Sequence, residues 1–268
     1  MTARGGRSAA VALMGALGFR SASGQAVPNR ATAYLTATEV VDARAVWVNP
    51  GGLGARHDAS VHFDLTVRQP GAKGQLGQLT AGFNARGLSF GYQRDILPGG
   101  LRGHTYRLGL GGVSNRLALG TAVALYRGGT GGVGWDFGTR YEMGPRMTIG
   151  GVVRNVGRPT VRGVREAVAF VPAATVRPGD LLEVSLQASL GSDSVRGYAL
   201  AARATMPGRR GVALFGRIDA DGSLRRRAFA FGVSVGRADQ VGLVGTAPRD
   251  FSEIDAASLF GVSTRGPR

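Results

Sequence analysis

From Gly132 to Met143, apolar and polar side chains take turns along the chain. Val133, Trp135, Phe137, Thr139, Tyr141 and Met143 fall on one side of an extended backbone, and Gly134, Asp136, Gly138, Arg140 and Glu142 on the other. Successive side chains of a strand point to opposite faces, so this stretch predicts a strand with one apolar and one polar wall. Val61, Phe63, Leu65 and Val67 alternate in the same way with Ser60, His62, Asp64 and Thr66. So do Leu117, Leu119, Thr121, Val123 and Leu125 with Ala118, Gly120, Ala122 and Ala124, and Tyr106, Leu108 and Leu110 with Thr105, Arg107, Gly109 and Gly111. The pattern predicts 14 strands, near 58–68, 76–85, 87–94, 104–114, 116–126, 132–142, 145–154, 165–172, 180–190, 196–206, 210–219, 225–236, 238–247 and 256–264. Tight-turn chemistry separates them, as at Pro98-Gly99-Gly100, Gly144-Pro145, Pro207-Gly208 and Asp219-Ala220-Asp221-Gly222.

The predicted strands run mostly 8–12 residues, and a tilted strand needs about 9–11 to cross a bilayer. In lipid every backbone N–H and C=O must find a partner within the protein, which a sheet achieves only by closing on itself. The small and charged residues of the second face suit an enclosed interior, and the apolar face suits lipid. The expected fold class is therefore all-β, an antiparallel up-and-down transmembrane β-barrel of about 14 strands (12–14). The competing arrangement is a soluble, secreted β-sandwich that presses two apolar faces together and binds polyanions. Tyr92, Tyr126, Trp135, Tyr141 and Phe215 lie near strand ends and are candidates for interfacial aromatic girdles.

Composition narrows the function classes. The chain has 268 residues, 45 of them glycine and none cysteine, which removes disulfides, thiol nucleophiles and cysteine–zinc sites. Lys and Arg outnumber Asp and Glu by 33 to 17, for a net charge of +16, and Lys73 is the sole lysine. Arg209, Arg210, Arg225, Arg226 and Arg227 form the densest basic runs. No aromatics interleave with them as in single-strand nucleic-acid binders, so no nucleic-acid partner is expected. Guanidinium contacts to lipid or lipopolysaccharide phosphates are the alternative use. Residues 1–26 read as a cleaved secretory signal: Arg4 and Arg7, an apolar run from Ala9 to Phe19, then small residues at Gly24 and Ala26.

Residues 27–57 do not alternate. A short helix is expected around Glu39 to Ala45, followed by a turn at Asn49-Pro50-Gly51-Gly52 that leads into the first strand. The segment Asp42-Ala43-Arg44-Ala45-Val46-Trp47-Val48-Asn49-Pro50-Gly51-Gly52-Leu53 resembles the signature that opens the FadL-like and PorV-like outer-membrane barrels, with Gly51 where that group usually has alanine. The resemblance implies a domain order of signal peptide (1–26), N-terminal plug or hatch (27–57) and barrel (58–264). It implies a location in the bacterial outer membrane and insertion by the barrel-assembly machinery. Val46, Trp47, Asn49, Pro50, Gly51, Gly52 and Leu53 would then shape the junction between plug and barrel. The chain is short for this group and leaves little room for the long external loops of its fatty-acid transporters. Its last aromatic, Phe260, precedes a non-aromatic ending, as expected of an internal insertion signal or of a barrel split from a larger chain.

Catalytic and cofactor patterns are lacking. H-E-x-x-H and S-x-x-K do not occur, and G-x-S-x-G occurs only inside predicted strands, at 87–91 and 232–236, where no helix follows the serine. Gly129-Thr130-Gly131-Gly132-Val133-Gly134 matches a dinucleotide-binding spacing, but a strand pattern follows it, so no helix N-terminus is available for a pyrophosphate. His57, His62 and His104 do not share a metal-ligand spacing, and Asp58, Asp64, Asp136, Glu142 and Glu183 scatter over the polar faces. No enzyme, metal or cofactor is expected. The sequence points to a barrel that passes small hydrophobic molecules. The first alternative is a non-transporting scaffold or shuttle partner for exported proteins, as among the PorV-like members.

Overall fold

The computed structural model describes residues 29–97, 100–128, 132–161, 163–208, 210–248 and 253–266. The signal-peptide reading of residues 1–26 lies outside them. The first strands are β1 (Ala59–Arg68), β2 (Gln75–Ala85), β3 (Leu88–Ile96), β4 (Arg102–Ser114), β5 (Leu117–Arg127), β6 (Gly132–Gly144) and β7 (Met147–Val156). A two-stranded hairpin follows, β8 (Thr160–Val161) and β9 (Val164–Arg165). The chain continues through β10 (Ala169–Val176), β11 (Leu182–Leu190), β12 (Val195–Thr205), β13 (Ala213–Asp221), β14 (Arg226–Val235), β15 (Asp239–Pro248) and β16 (Ala256–Arg265).

All strands except β8 and β9 join one closed antiparallel barrel of 14 strands. Closure comes from β1 pairing with β16, Asp64 opposite Phe260 and Thr66 opposite Ser258, while its other edge pairs with β2. The sheet thus has no free margin, as lipid requires. Leu119, Phe137, Leu186 and Leu243 stand exposed on the outer wall, and Ser60, Asp64, Thr66, Thr80, Thr148 and Ser185 are buried on the inner wall. This alternation inverts that of a soluble protein, and the closed sheet excludes the β-sandwich.

Residues 29–57 fill part of the interior. They carry a 3-10 turn (Arg30–Thr32), the short helix α1 (Ala45–Val48) and a second 3-10 turn (Pro50–Gly52). Ala31, Tyr34, Leu35, Val40, Val46, Trp47 and Leu53 form an apolar core with wall residues Phe215, Ala230, Phe260 and Val262.

Three sequence expectations need correction. The helix starts at Ala45, not near Glu39, because the Asp42 side chain accepts the Arg44 N–H and closes a turn there. The eighth barrel strand occupies Ala169–Val176, not 165–172. Pro172 sits mid-strand, where it pairs with Gly151 of β7 while the ladder to β11 skips Val171 and Pro172. Tyr126 and Phe215 belong to no girdle, since both are buried on the inner wall; Trp135 and Tyr141 do face outward.

Candidate functional site

The Asn49 turn meets the barrel wall backbone to backbone. Gly111 of β4 lies opposite Gly120 of β5, and Gly120 opposite Gly138 of β6, so three glycines cross neighbouring strands in one row. A Cβ at Gly120 would overlap the Pro50 carbonyl, one at Gly138 would overlap Asn49 Oδ1, and one at Gly111 would stand 2.8 Å from the Gly54 nitrogen. From the other side, a Cβ on Gly51 would stand 2.9 Å from the backbone of Gly138 and Thr139. Alanine at position 51 would therefore crowd this wall. Leu53 packs fully buried beside Gly109.

Asn49 joins three parts of the chain. Its Nδ2 donates to the carbonyls of Ala37 at 2.7 Å and Thr139 at 3.0 Å, and its Oδ1 accepts the Gly51 N–H at 3.0 Å. The predicted junction residues Asn49, Pro50, Gly51, Gly52 and Leu53 are thus brought together against β4, β5 and β6. Val46 and Trp47 sit one turn earlier, where Arg107 stacks over the Trp47 ring at 5.3 Å.

Sequence reasoning missed how the wall holds the inner segment. Arginines on four strands donate to its carbonyls: Arg107 to Val46 at 3.0 Å, Arg140 to Thr38 at 3.1 Å, Arg154 to Val48 and Arg217 to Leu35. Asn84 donates to Leu53. Gln78, Gln187 and Ser60 accept the N–H groups of Arg30, Ala37 and Ala43. A chain without regular secondary structure must place its backbone polar groups somewhere, and here side chains of the wall receive them. A guanidinium suits this use because one group can bond a carbonyl and a carboxylate together. Arg140 also pairs with Glu142 at 2.6 Å, Arg107 with Asp136 at 2.6 Å and Arg217 with Asp219 at 2.7 Å. For Arg140–Glu142 and Arg217–Asp219 the sequence signal was an Arg and a carboxylate two residues apart on the same polar face, whereas Arg107 and Asp136 meet across strands.

One ion pair lies within the inner segment. Arg44 pairs with Asp42 at 2.6 Å and donates to the Tyr34 hydroxyl. Burial alone would raise the Asp42 carboxyl, but the Arg44 charge and hydrogen bonds outweigh it and hold Asp42 below the ordinary carboxylate value. Burial pushes the Tyr34 hydroxyl up and keeps it neutral. The Tyr34 ring stacks on Phe215 at 3.9 Å and Phe260 at 5.7 Å, which places the last aromatic of the chain inside the barrel.

Two cavities flank the inner segment. One, of about 510 Å³, lies toward the start of β1 and the end of β16 and is lined by Glu39, Arg44, Arg56, Arg203 and Phe215 among others. The other, of about 660 Å³, lies at the opposite end and is lined by Trp47, Val48, Tyr126, Arg154 and Arg217 among others. Leu35 lines both. The predicted carboxylates do not assemble: Asp58 and Glu183 line the first cavity, Asp136 is held by Arg107, and Asp64 is buried beside Asn29. His104 bonds Tyr92, His62 is buried in the wall and His57 is exposed before β1. Among the described residues no group of three His, Asp or Glu is placed to hold a metal.

No protein-family model matches the sequence, and no match was found among curated proteins. Solved structures do match. The toluene transporter TbuX of Ralstonia pickettii superposes with a TM-score of 0.63 at 11% identity, over 90% of this chain and 98% of that one. The monoaromatic hydrocarbon channel CymD superposes with a TM-score of 0.53 at 9% identity, over 86% of this chain and 93% of that one. At such identities the likeness speaks to architecture alone, and the architecture is a closed antiparallel barrel of 14 strands.

Proposed function

We propose that this protein resides in the bacterial outer membrane and passes small hydrophobic molecules, with residues 27–57 as the plug. The observation that carries this reading is the pair of cavities separated at Leu35 inside a lipid-facing barrel. The fold shared with a toluene transporter and a monoaromatic hydrocarbon channel supports the substrate class. The partners in this reading are outer-membrane lipid and lipopolysaccharide, the barrel-assembly machinery and a hydrophobic small molecule, and the role is not enzymatic. Val46, Trp47, Asn49, Pro50, Gly51, Gly52 and Leu53 form the seat of the plug. Planar-bilayer conductance of the protein with and without residues 27–57 tests it. Current should rise when the segment is removed, and unchanged current would refute a plug.

The dense anchoring of the inner segment by Arg107, Arg140, Arg154 and Arg217 favours a second reading, a scaffold or shuttle partner for exported proteins that passes nothing. Liposome uptake of toluene through the intact protein separates the two. Uptake supports transport, and its absence supports the scaffold.

A further inference from the structure

The charges along the wall of the larger cavity do not balance. Arg107, Arg154 and Arg217 come from β4, β7 and β13; the charge of Asp136 favours the Arg154 cation, and those of Arg107 and Arg217 oppose it. Two carboxylates, Asp136 and Asp219, are hydrogen-bonded to Arg107 and Arg217. Asp136 accepts from Arg107 through Oδ2 and from the Asn155 N–H through Oδ1. Asp219 takes Arg217 through both oxygens. Glu166 lines the same cavity. Arg154 donates to the Val48 carbonyl, and its Nε–H finds no acceptor among the described residues. A guanidinium drawn out of water beside two others is costly, and the nearby Asp136 hydrogen-bonds Arg107 and the Asn155 N–H rather than Arg154.

We propose that the larger cavity binds a small oxyanion, of the phosphate or sulfate class, on the guanidinium of Arg154. The cavity of about 660 Å³ leaves room for such an ion with water around it. The planar donor face of arginine matches two oxygens of an oxyanion. The neighbouring Arg107 and Arg217 add long-range attraction while their own carboxylates stay in place. The site lies in one of the two cavities, so a bound anion would repel further anions there and set which solutes enter.

Trp47 reports on this cavity, which it lines beneath Arg107. The other tryptophan, Trp135, stands on the outer wall, so Trp135→Phe leaves one internal signal. Inorganic sulfate and phosphate are titrated against the full chain in detergent at constant ionic strength, with chloride as the balancing salt. A saturable change in Trp47 emission is expected, and Arg154→Gln should raise its midpoint about tenfold or more. Arg203→Gln, in the other cavity, should leave the midpoint in place. If Arg154→Gln fails to show heat-modifiable gel mobility, Arg154→Lys replaces it. Lysine keeps the charge and loses the fork, and the midpoint should still rise several-fold. A non-saturable response, or a midpoint indifferent to position 154, overturns the proposal. The readout is binding without flux, so its failure is separate from failure of the transport reading.

Discussion

The side-chain oxygen of Asn49 occupies the space that a Cβ on Gly138 would fill. The inner segment therefore reads the absence of a side chain on β6, as it reads Gly120 through the Pro50 carbonyl. Gly138→Ala should force the turn away from the wall, at a cost of about 1–3 kcal/mol as for other overpacked sites. The barrel itself should persist, because the new methyl points inward and leaves the strand ladder intact. The expected result is retained heat-modifiable mobility with a lower unfolding midpoint in urea and faster proteolysis of residues 29–57.

Asn49 supplies two donors and one acceptor, all used. Asn49→Ala would leave the Ala37 and Thr139 carbonyls and the Gly51 N–H without this partner in a dry site, costing about 1–3 kcal/mol for each group that finds no replacement. Asn49→Asp keeps the acceptor but turns a carboxylate toward two carbonyl oxygens, and should be worse than alanine at neutral pH. Urea unfolding of the three proteins checks the order. Aspartate equal to asparagine would show that Nδ2 contributes nothing.

Leu35 is the side chain shared by the two cavities, and its carbonyl is fixed by Arg217. Leu35→Ala removes the side chain and leaves the anchoring bond. Single-channel conductance should rise several-fold while stability falls by about 2–5 kcal/mol at most, since Leu35 is buried. Arg217→Ala, which frees the backbone instead, should give unsteady current in place of a fixed larger step.

The wall was legible and its occupant mostly was not. Alternation is a local property of the backbone, so Val133 to Met143 disclosed both faces of β6 without reference to any other strand. The turn at Asn49 was legible for the same reason, since Asn-Pro-Gly-Gly carries its own conformation. Gly111, Gly120 and Gly138 looked like ordinary lumenal glycines, because their meaning depends on register between three strands. The arginine anchors were hidden further still. Arg217 and Leu35 are far apart in sequence and meet only once the barrel has closed. Phe215 misled because its place in the strand resembled a girdle position, whereas Tyr34 supplied an aromatic partner inside.

The Asp42–Arg44 pair makes the inner segment sensitive to acid. Asp42 titrates below the ordinary carboxylate value in the folded protein, so it contributes stability above the unfolded value of 3.8 that is lost as pH falls through the depressed one. Arg44 is shifted upward, so its contribution persists throughout the acidic and neutral range. Asp42→Asn should therefore destabilise the docked segment at pH 7, by about 3–5 kcal/mol if Arg44 stays buried without its anion. The difference from the unaltered protein should shrink below pH 4, where the carboxyl of the unfolded chain takes up a proton, and close as pH falls through the depressed folded value. A second change separates charge from packing. Arg44→Met added to Asp42→Asn removes the stranded cation, and should recover much of the loss while keeping an apolar contact with Phe260, over which Arg44 now lies at 5.4 Å. Protease protection of residues 29–57, followed from pH 7 to pH 3 in all three proteins, measures these differences. A gap between wild type and Asp42→Asn that stays constant across that range would mean that the carboxylate charge is not what holds the pair.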